Sequence, residues 1–231
     1  MLDLIKNIQI NVNDKIYLKD PVLTHLGRYI VKESINLIDE IGLEEFTFKK
    51  LAQKVGSTES SIYRYFCNKH RILLYLMSWY WGWLEYKLVF SINNISDPAE
   101  KLKSSISVLA DELEDIELNG MINLKALSRI AIAESAKSYL TKEVDNENKE
   151  GLFSSYKNLC KRLSNICDEI NPEYKYSKSL ASTIYEGIHH QKFCAHHFHS
   201  LTDFSSDNLG FKEYFINLAL DNLRSDRNGR N

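Results

Sequence analysis

Residues that interrupt helices are scarce in this sequence, which has three prolines and nine glycines among 231 residues. Proline lacks the N–H that a helix interior uses, and glycine is poorly suited to that interior. Cysteine is also scarce: the four cysteines are scattered, and none forms a CxxC pair. The scarcity of helix breakers favours a helical chain, and the cysteine pattern fits a reducing cytoplasm better than a disulfide framework.

Long apolar segments are absent as well. The most apolar run, residues 72–84, contains thirteen uncharged residues before Glu85 and Lys87 close it, whereas a membrane-spanning helix needs about 20. The first fifteen residues have neither a basic beginning nor an uninterrupted apolar stretch, so they are unlike a signal peptide. We therefore expect a cytoplasmic protein without a membrane span, in which residues 72–84 form a buried helix.

An excess of positive charge is missing too, because the formal net charge is −2. Residues 21–76 carry eight Lys or Arg and six Asp or Glu, whereas residues 77–231 carry 18 and 22. This asymmetry has the sign that DNA binding requires, but it is small. Any attraction for phosphate groups must therefore come from the local placement of cations.

Motifs of enzymes are lacking. The sequence has no Gly-rich phosphate loop, no GxSxG and no HExxH pattern. An acidic run is present, but such a run is most often a solvated helix end; it consists of Glu112, Glu114, Asp115 and Glu117. We expect neither a catalytic residue nor a cofactor.

Residues 47–69 contain two short helical patterns separated by a tight break. Thr47 is suited to cap the first helix, and Gly56 favours the left-handed conformation that ends it. The apolar positions of the first helix recur at helical spacing: Phe48, Leu51, Ala52 and Val55. The second helix starts after a Ser-Thr cap at 57–58, and its buried side is Ile62, Tyr65 and Phe66. The pattern predicts a helix-turn-helix, whose second helix enters a DNA major groove.

The outward side of the second helix is polar: Glu59, Ser60, Ser61, Tyr63 and Arg64. Short hydroxyl side chains let the backbone approach base edges, Arg reads guanine, and Tyr and Lys hold phosphates. The alternative is an ordinary solvated helix face, and spacing alone does not separate the two interpretations.

The stretch from about Leu26 to Leu76 resembles the DNA-binding domain of the tetracycline-repressor (TetR) family. The strongest part of the resemblance is residues 62–66, Ile-Tyr-Arg-Tyr-Phe, followed by Asn68-Lys69. Further matching segments are Ile38–Gly42, Phe46-Thr47, Leu51-Ala52, Val55-Gly56 and Ser57-Thr58. Two positions depart from the family pattern: Glu59 stands where lysine is frequent, and Cys67 stands where a polar or basic residue is common. Cys67 is a neutral spacer or a redox-sensitive thiol.

The resemblance implies an all-α protein of about nine helices. Its DNA-binding domain covers residues 21–76, with the motif at 47–66, and a helical ligand-binding and dimerisation domain covers residues 77–224. The implied base-reading residues are Ser60, Ser61 and Arg64. The phosphate-holding residues are Thr47, Thr58, Tyr63 and Lys69, and the wider set of DNA-binding candidates adds Lys49, Ser57 and Tyr65.

Residues 1–20 are predicted to form an arm, and residues 225–231 a polar tail. Period-two alternation around Asn13-Asp14 suggests a small hairpin in the arm, and the alternative is an extended arm that reaches a minor groove. After residue 20 no sheet is expected. The predicted helices include Pro21–Ile41, a long one from Asn68 to Ile92, one that starts at residues 96–100 and continues to Ile116, Met121–Tyr139 and 151–170.

The long helix carries many aromatic residues, with Trp79, Trp83, Tyr86 and Phe90 on one face. This face is either a large core surface or the wall of a ligand cavity, since rigid aromatic side chains line many small-molecule sites. The candidate pocket residues are Trp79, Trp83, Tyr86, Leu109, Leu113 and Tyr156.

Histidine is concentrated between residues 189 and 199. His190, Cys194 and His197 lie at helical spacing on one face, a donor set that zinc or copper accepts. Metal-binding helices of this kind need a third ligand and a second shell from elsewhere, and neither is identifiable in the sequence. Packed or water-bonded histidines are therefore the simpler interpretation, and no metal is expected. A pH-sensitive dimer is a related alternative, because histidine titrates near neutrality.

Two hypotheses follow. In the first, the protein is a ligand-responsive repressor that binds a near-palindromic DNA operator as a homodimer. The resemblance implies that the dimer forms through the last two helices, about 177–199 and 207–223, and that a small molecule acts through the long helix that joins the domains. In the second, the protein is a ligand-binding or adapter dimer that has lost tight DNA binding, as its weak positive charge, Glu59 and Cys67 suggest.

Overall fold

The computed structural model describes residues 8–204 and 209–228 of the chain. The beginning of the predicted arm (1–7), the start of the last predicted helix (207–208) and the end of the predicted tail (229–231) lie outside the described residues. The described part is all-α, as predicted, with eleven α-helices and three short 3-10 turns. The helices are α1 (His25–Glu45), α2 (Phe48–Val55), α3 (Glu59–Tyr63), α4 (Lys69–Ile92), α5 (Pro98–Ala110), α6 (Leu124–Glu134), α7 (Ala136–Tyr139), α8 (Val144–Lys149), α9 (Ser154–Ile170), α10 (Ser177–His197) and α11 (Leu209–Asn228).

The predicted N-terminal hairpin is wrong for the described residues. Asn13 does not form a turn between strands. Its side chain accepts a hydrogen bond from the Lys15 N–H at 3.0 Å and caps the 3-10 turn Asp14–Ile16. Val12 and Ile16 are buried. The alternating apolar residues therefore anchor the arm on the protein instead of pairing two strands.

A small hairpin occurs elsewhere, and its second strand lies where the start of a helix was predicted. Strands β1 (Glu117–Leu118) and β2 (Ile122–Asn123) pair antiparallel, with Leu118 opposite Ile122. Asn119 and Gly120 between them have φ values of 51° and 65°. Positive φ at two successive residues is the requirement of the favoured hairpin turn, and Asn-Gly meets it best. The expected helix from Met121 therefore begins only at Leu124.

Two helix ends also differ from the prediction. Helix α1 begins after Thr24, whose hydroxyl accepts from the Gly27 N–H at 3.0 Å, because the predicted first turn forms a separate 3-10 turn, Pro21–Leu23. Helix α5 ends at Ala110, so the acidic run at 112–117 lies in a loop and in β1 instead of at a helix end. The predicted long helix is confirmed: Asn68 caps it, and it extends to Ile92.

The chain divides into two compact units. Unit 1 contains residues 1–82 and 112–155, and unit 2 contains residues 83–111 and 156–231. Helix α4 is continuous across the boundary at 82–83. The helix-turn-helix therefore shares a compact unit with the hairpin and with α6, which lie far from it in the sequence.

Unit 1 is built on the packing of α1 against α6. Three charged contacts join α1 to the 112–155 segment. Arg129 donates two hydrogen bonds to Asp39, at 2.8 and 2.6 Å; Lys32 lies 2.7 Å from Glu117; and Lys137 lies 3.1 Å from Glu44. The core beneath them is apolar and includes Ile30, Ile35, Ile38, Leu127 and Ala131.

In unit 2, α5, α10 and α11 pack together. Gly187 of α10 lets Phe215 of α11 approach, since a Cβ at Gly187 would lie 3.0 Å from the Phe215 ring. The N-terminal end of α9 is joined to α10 by a 2.6 Å hydrogen bond from the Tyr156 hydroxyl to Glu186. Beyond α9, the buried Asn171 donates to the Leu223 carbonyl of α11 at 2.8 Å. Within the described ranges, no helix is both long and apolar enough to span a bilayer.

The tight contact at Gly27 generates a stability prediction. A Cβ there would lie 2.4 Å from the Pro21 carbonyl oxygen and 2.8 Å from the Tyr65 ring. We expect Gly27→Ala to lower the free energy of unfolding by about 2 kcal/mol, because the backbone must move to relieve the clash. Urea denaturation measures the change.

Gly210→Ala is the matched control, because nothing lies within 4 Å of a Cβ at that helical position. Its expected effect is neutral or stabilising by up to about 1 kcal/mol. Equal stability of the Gly27→Ala variant and the wild type would contradict the packing described here.

Candidate DNA-binding surface

Helix α2 and the turn after it follow the predicted capping chemistry. The Thr47 hydroxyl accepts a hydrogen bond from the Lys50 N–H at 3.2 Å. Gly56 adopts the left-handed conformation (φ 67°, ψ 36°), and the Ser57 N–H bonds to the Ala52 carbonyl at 3.0 Å. Phe48, Leu51, Ala52 and Val55 are buried, as their spacing predicted.

Helix α3 presents a polar outer side. The Thr58 hydroxyl caps it by accepting from the Ser61 N–H at 3.3 Å, and it also lies 2.9 Å from the hydroxyls of Ser60 and Ser61. Tyr63 is 49% exposed, and its ring packs on Phe48 in an edge-to-face contact at 4.7 Å between centroids. The structure thus gathers the hydroxyls and the ring at one exposed surface.

Most predicted DNA-binding residues lie on this surface or beside it. Thr47, Lys49, Thr58, Ser60, Tyr63 and Arg64 are exposed, and Ser57 and Ser61 are partly exposed. We define the α3 surface as Lys49, Ser60, Ser61, Tyr63 and Arg64. It combines hydroxyl donors, a phenol and two cations, which are the groups that contact bases and phosphates.

Tyr65, one of the predicted DNA-binding candidates, does not lie on this surface. It is 3% exposed, and its hydroxyl lies 2.7 Å from the Thr24 hydroxyl at the start of α1. The backbone of Tyr65 also accepts a 2.7 Å hydrogen bond from the Leu18 N–H of the arm. Tyr65 is therefore a packing residue that joins α3 to the arm and α1. The apolar pattern at 62, 65 and 66 already indicated this burial.

The side chain of Lys69 is hydrogen-bonded within the protein. Its ammonium group donates to the carbonyls of Leu43 and Glu44, at 3.0 Å each. These carbonyls belong to the end of α1, where Gly42 departs from helical geometry with φ 74°. The predicted role of Lys69 as a phosphate contact is untested, but its structural role here is to hold the start of α4 against the end of α1.

Sequence reasoning missed Glu134, which holds the same turn. Its carboxylate accepts a hydrogen bond from the Leu43 N–H at 3.1 Å, and its other oxygen lies 2.8 Å from Lys137. Only 8% of Glu134 is exposed. No local pattern identifies it, because its partner lies 91 positions away in the sequence.

Several cations near the helix-turn-helix are paired with acids. Lys50 lies 3.1 Å from Glu45, and Lys54 lies 3.6 Å from Glu40. Lys49 and Arg64 are exposed. Because paired cations contribute less to phosphate attraction, the positive potential of the α3 surface depends chiefly on these two residues.

The predicted ligand-pocket residues are divided between the two units. Trp79 and Leu113 are buried in unit 1, and Trp83 and Leu109 are buried in unit 2. Also in unit 2, Tyr86 stacks between Trp83 and Phe90, with ring centroids at 5.6 and 6.3 Å, and Tyr156 is partly exposed. Phe90, predicted to share the buried face, is 67% exposed.

The histidine cluster does not converge on a metal. His190 Nε2 lies 3.5 Å from Cys194 Sγ, whereas His197 packs on the Phe193 ring at 4.6 Å between centroids. No group of three or more His, Cys, Asp or Glu side chains within the described residues is arranged to hold a metal ion. All four cysteines are free thiols; Cys67 is exposed, and burial raises the pKa of Cys160 to about 11.

Solved structures with the same fold provide the first comparison. The structure of AibR in complex with isovaleryl coenzyme A and operator DNA has a TM-score of 0.58 at 15% identity, and the match covers 83% of this chain and 97% of that chain. The fatty acid degradation regulator FadR from Bacillus halodurans has a TM-score of 0.58 at 17% identity, with 85% and 96% covered. The superantigen PfiT has a TM-score of 0.54 at 16% identity, with 89% and 96% covered.

At such identities the likeness establishes the fold and not the function. No curated protein sequence matches the chain. By fold and surface, the protein is an all-α helix-turn-helix protein with an exposed polar face on its second motif helix. Residues 30–76 match the family model described as bacterial regulatory proteins, tetR family. The segment that contains the helix-turn-helix is therefore similar to the matching domain of tetR-family regulatory proteins.

The two tyrosines of the motif generate a paired prediction. We expect Tyr65→Phe to lower the free energy of unfolding by about 1 kcal/mol, because the Thr24 hydroxyl loses its buried partner. Tyr63→Phe, the same change two residues away on the exposed side, should leave stability unchanged. Equal losses for the two variants in urea denaturation would refute the assignment of Tyr65 to the packing and Tyr63 to the surface.

His189 generates a pH prediction. Burial lowers its pKa from 6.5 to about 4, while its Nδ1 donates to the Tyr185 carbonyl at 3.0 Å. In the unfolded chain His189 binds a proton as the pH falls below 6.5, whereas in the folded chain it stays neutral until the pH reaches about 4. The stability contributed by neutral His189 is complete above the unfolded value and is lost as the pH falls through this window.

We expect the wild type to lose up to about 3 kcal/mol more than His189→Leu between those pH values. Urea unfolding at a series of pH values measures the difference. The carboxylates common to both proteins cancel in the comparison, so parallel stability curves would show that His189 is not buried in its neutral form.

Proposed function

We propose that the protein is a DNA-binding transcriptional repressor that acts as a homodimer on a near-palindromic operator. The observation that carries the proposal is the exposed α3 surface within a domain that matches the TetR family at residues 30–76. The absence of enzyme motifs is compatible with a non-catalytic regulator, and we propose that it acts in the cytoplasm.

In the proposed complex, α3 enters the major groove. Arg64 donates two guanidinium N–H groups to the O6 and N7 atoms of a guanine, and Ser60 and Ser61 contact base edges after their hydroxyls turn away from Thr58. Lys49 and Tyr63 hold phosphate groups and set the orientation of the helix. Because Tyr63 already rests on Phe48, its ring loses little freedom on binding.

The dimer would form through α10 and α11. Exposed apolar side chains near these helices support this assignment: Tyr176, Phe198, Leu201 and Tyr214. The two recognition helices would lie about one DNA turn, ~34 Å, apart. The operator DNA named for the AibR structure supports a DNA complex of this kind for the shared fold.

An effector is also part of the proposal, supported by the isovaleryl coenzyme A named for AibR. The sequence predicts that α4 is the moving part, because it alone joins the two domains predicted at 21–76 and 77–224. Within unit 1, however, α6 contacts α1 and its Glu134 holds the Leu43 N–H. We therefore propose that a signal reaches the helix-turn-helix through α6 as well as α4, and that ligand and DNA oppose each other reciprocally.

A second function deserves a test because a specific observation favours it. Lys50, Lys54 and Lys69 are engaged by acids or carbonyls, and Glu59 is exposed at the start of α3. A protein with so few available cations near its recognition helix fits an adapter dimer that has lost tight DNA binding.

Selection of binding sites from a random duplex DNA pool, followed by affinity measurement at several salt concentrations, separates the two functions. We expect enrichment of a near-palindromic sequence and an affinity that falls steeply with salt. Arg64→Ala should weaken binding to the selected site by about tenfold or more, the value of a good base contact.

Lys87→Ala is the control, because it removes an exposed cation of unit 2, outside the helix-turn-helix. It should leave the affinity within about twofold, since distant exposed charges are screened by salt. A folded dimer that enriches no sequence would overturn the repressor proposal in favour of the adapter. Sedimentation on the same sample reports whether the dimer is present.

A further inference from the structure

A pocket lies inside unit 1, between the N-terminal arm and helix α4. Its volume is about 390 Å³, and residues 9–12 of the arm form one side of it. Among the aromatic residues that line it, Tyr17 is partly exposed, whereas Tyr75 and Trp79 are almost fully buried, and Asn119 lines it from the β1–β2 turn. The arm is held in place near the pocket, because the Asn119 side chain donates to the Ile8 carbonyl at 2.9 Å.

Close packing also fixes the arm against α4. Ile10 lines the pocket, and a Cβ at Gly82 of α4 would lie only 2.4 Å from its Cγ2 atom. Val12, just before the next turn, and Ile16, the last residue of that turn, are buried. The arm that forms one side of the pocket is thus anchored at several points along its length.

The charge of the lining has one sign. Among the residues that line the pocket, Asp20 is charged and none is Lys, Arg or His. Burial, followed by the negative charges of Asp20 and Asp14, raises the pKa of Tyr17. Aromatic faces attract cations through their quadrupole, and a carboxylate beside them adds to this attraction.

We propose that this pocket binds a small organic cation, an ammonium group carried on an aromatic or apolar body. The partly exposed Tyr17 contacts the body and the cation, and Asp20 beside it balances the charge. The amide of Asn119 is a further polar group in the wall. An anion of the same size would be disfavoured, because the described lining offers it no cation.

The pocket also has a physical route to the recognition helix. Tyr75 packs on Phe66 at 5.4 Å between ring centroids and on Tyr17 at 6.2 Å. In addition, the Leu18 N–H of the arm bonds to the Tyr65 carbonyl. Tyr65 and Phe66 lie two and three residues after the end of α3, so an occupant that shifts the arm or Tyr75 acts on that helix. This coupling rests on the proposed function, whereas the binding itself does not.

Calorimetry with benzyltrimethylammonium as the cation probe tests the site, with phenylacetate as the anion of similar body. We expect the cation to bind at least about tenfold more tightly than the anion. Asp20→Asn should remove most of that preference while keeping the cap on the Val22 N–H, since asparagine caps as well as aspartate.

Asp14→Asn is the matched control, because Asp14 is an exposed acid of the arm outside the lining. It should retain most of the preference. A second variant, Gly82→Ala, displaces Ile10 and should weaken cation binding by a mechanism that leaves Asp20 intact. Absence of saturable cation binding, or equal binding of both probes, would overturn the site.

The affinity for the selected DNA, measured with and without the cation, tests the coupling. We expect the cation to change it in the wild type and not in Asp20→Asn. Cation binding without a change in DNA affinity would overturn the coupling alone. Failure to bind any DNA would instead refute the proposed function and leave the calorimetric result standing.

Discussion

The hydrogen bond from the Leu43 N–H to the buried Glu134 carboxylate is the contact on which the arrangement of unit 1 depends. Gly42 breaks the helical geometry of α1, and a broken helix end needs partners for its backbone groups. Glu134 satisfies the N–H, and Lys69 satisfies two carbonyls. Without these side chains the turn into α2 would have no fixed direction, and neither would the recognition helix.

The contacts of the helix-turn-helix extend beyond the domain predicted from the sequence. A division of the chain at residue 76 would leave α4 as the sole connection between the motif and the rest of the chain. The compact units do not follow that division. Residues 112–155 belong to the same unit as the helix-turn-helix, and α6 packs along α1. The arm adds a further contact through Leu18 and Tyr65. The motif is therefore held from three directions.

The helix-turn-helix was predictable because its determinants are local. Thr47, Gly56 and Thr58 act on backbone groups three or four residues away, so their chemistry is visible in a short window. The same reasoning failed at 8–18, where alternating apolar residues pack on the protein instead of pairing as strands. Between the predicted helices that end at Ile116 and begin at Met121, Asn119 and Gly120 take the positive φ of a hairpin turn, which helical spacing did not indicate.

The sequence alone determined the helical class, the motif and its caps, and the polar side of α3, because these depend on spacing along the chain. The tertiary structure decided which polar groups remain available. The Tyr65 hydroxyl bonds to that of Thr24, and the Lys69 ammonium group bonds to carbonyls at the end of α1. Lys50 and Lys54 form ion pairs with nearby acids. It also formed the pocket beneath the arm from residues more than a hundred positions apart. Burial and pairing depend on distances in space, which residue spacing does not record.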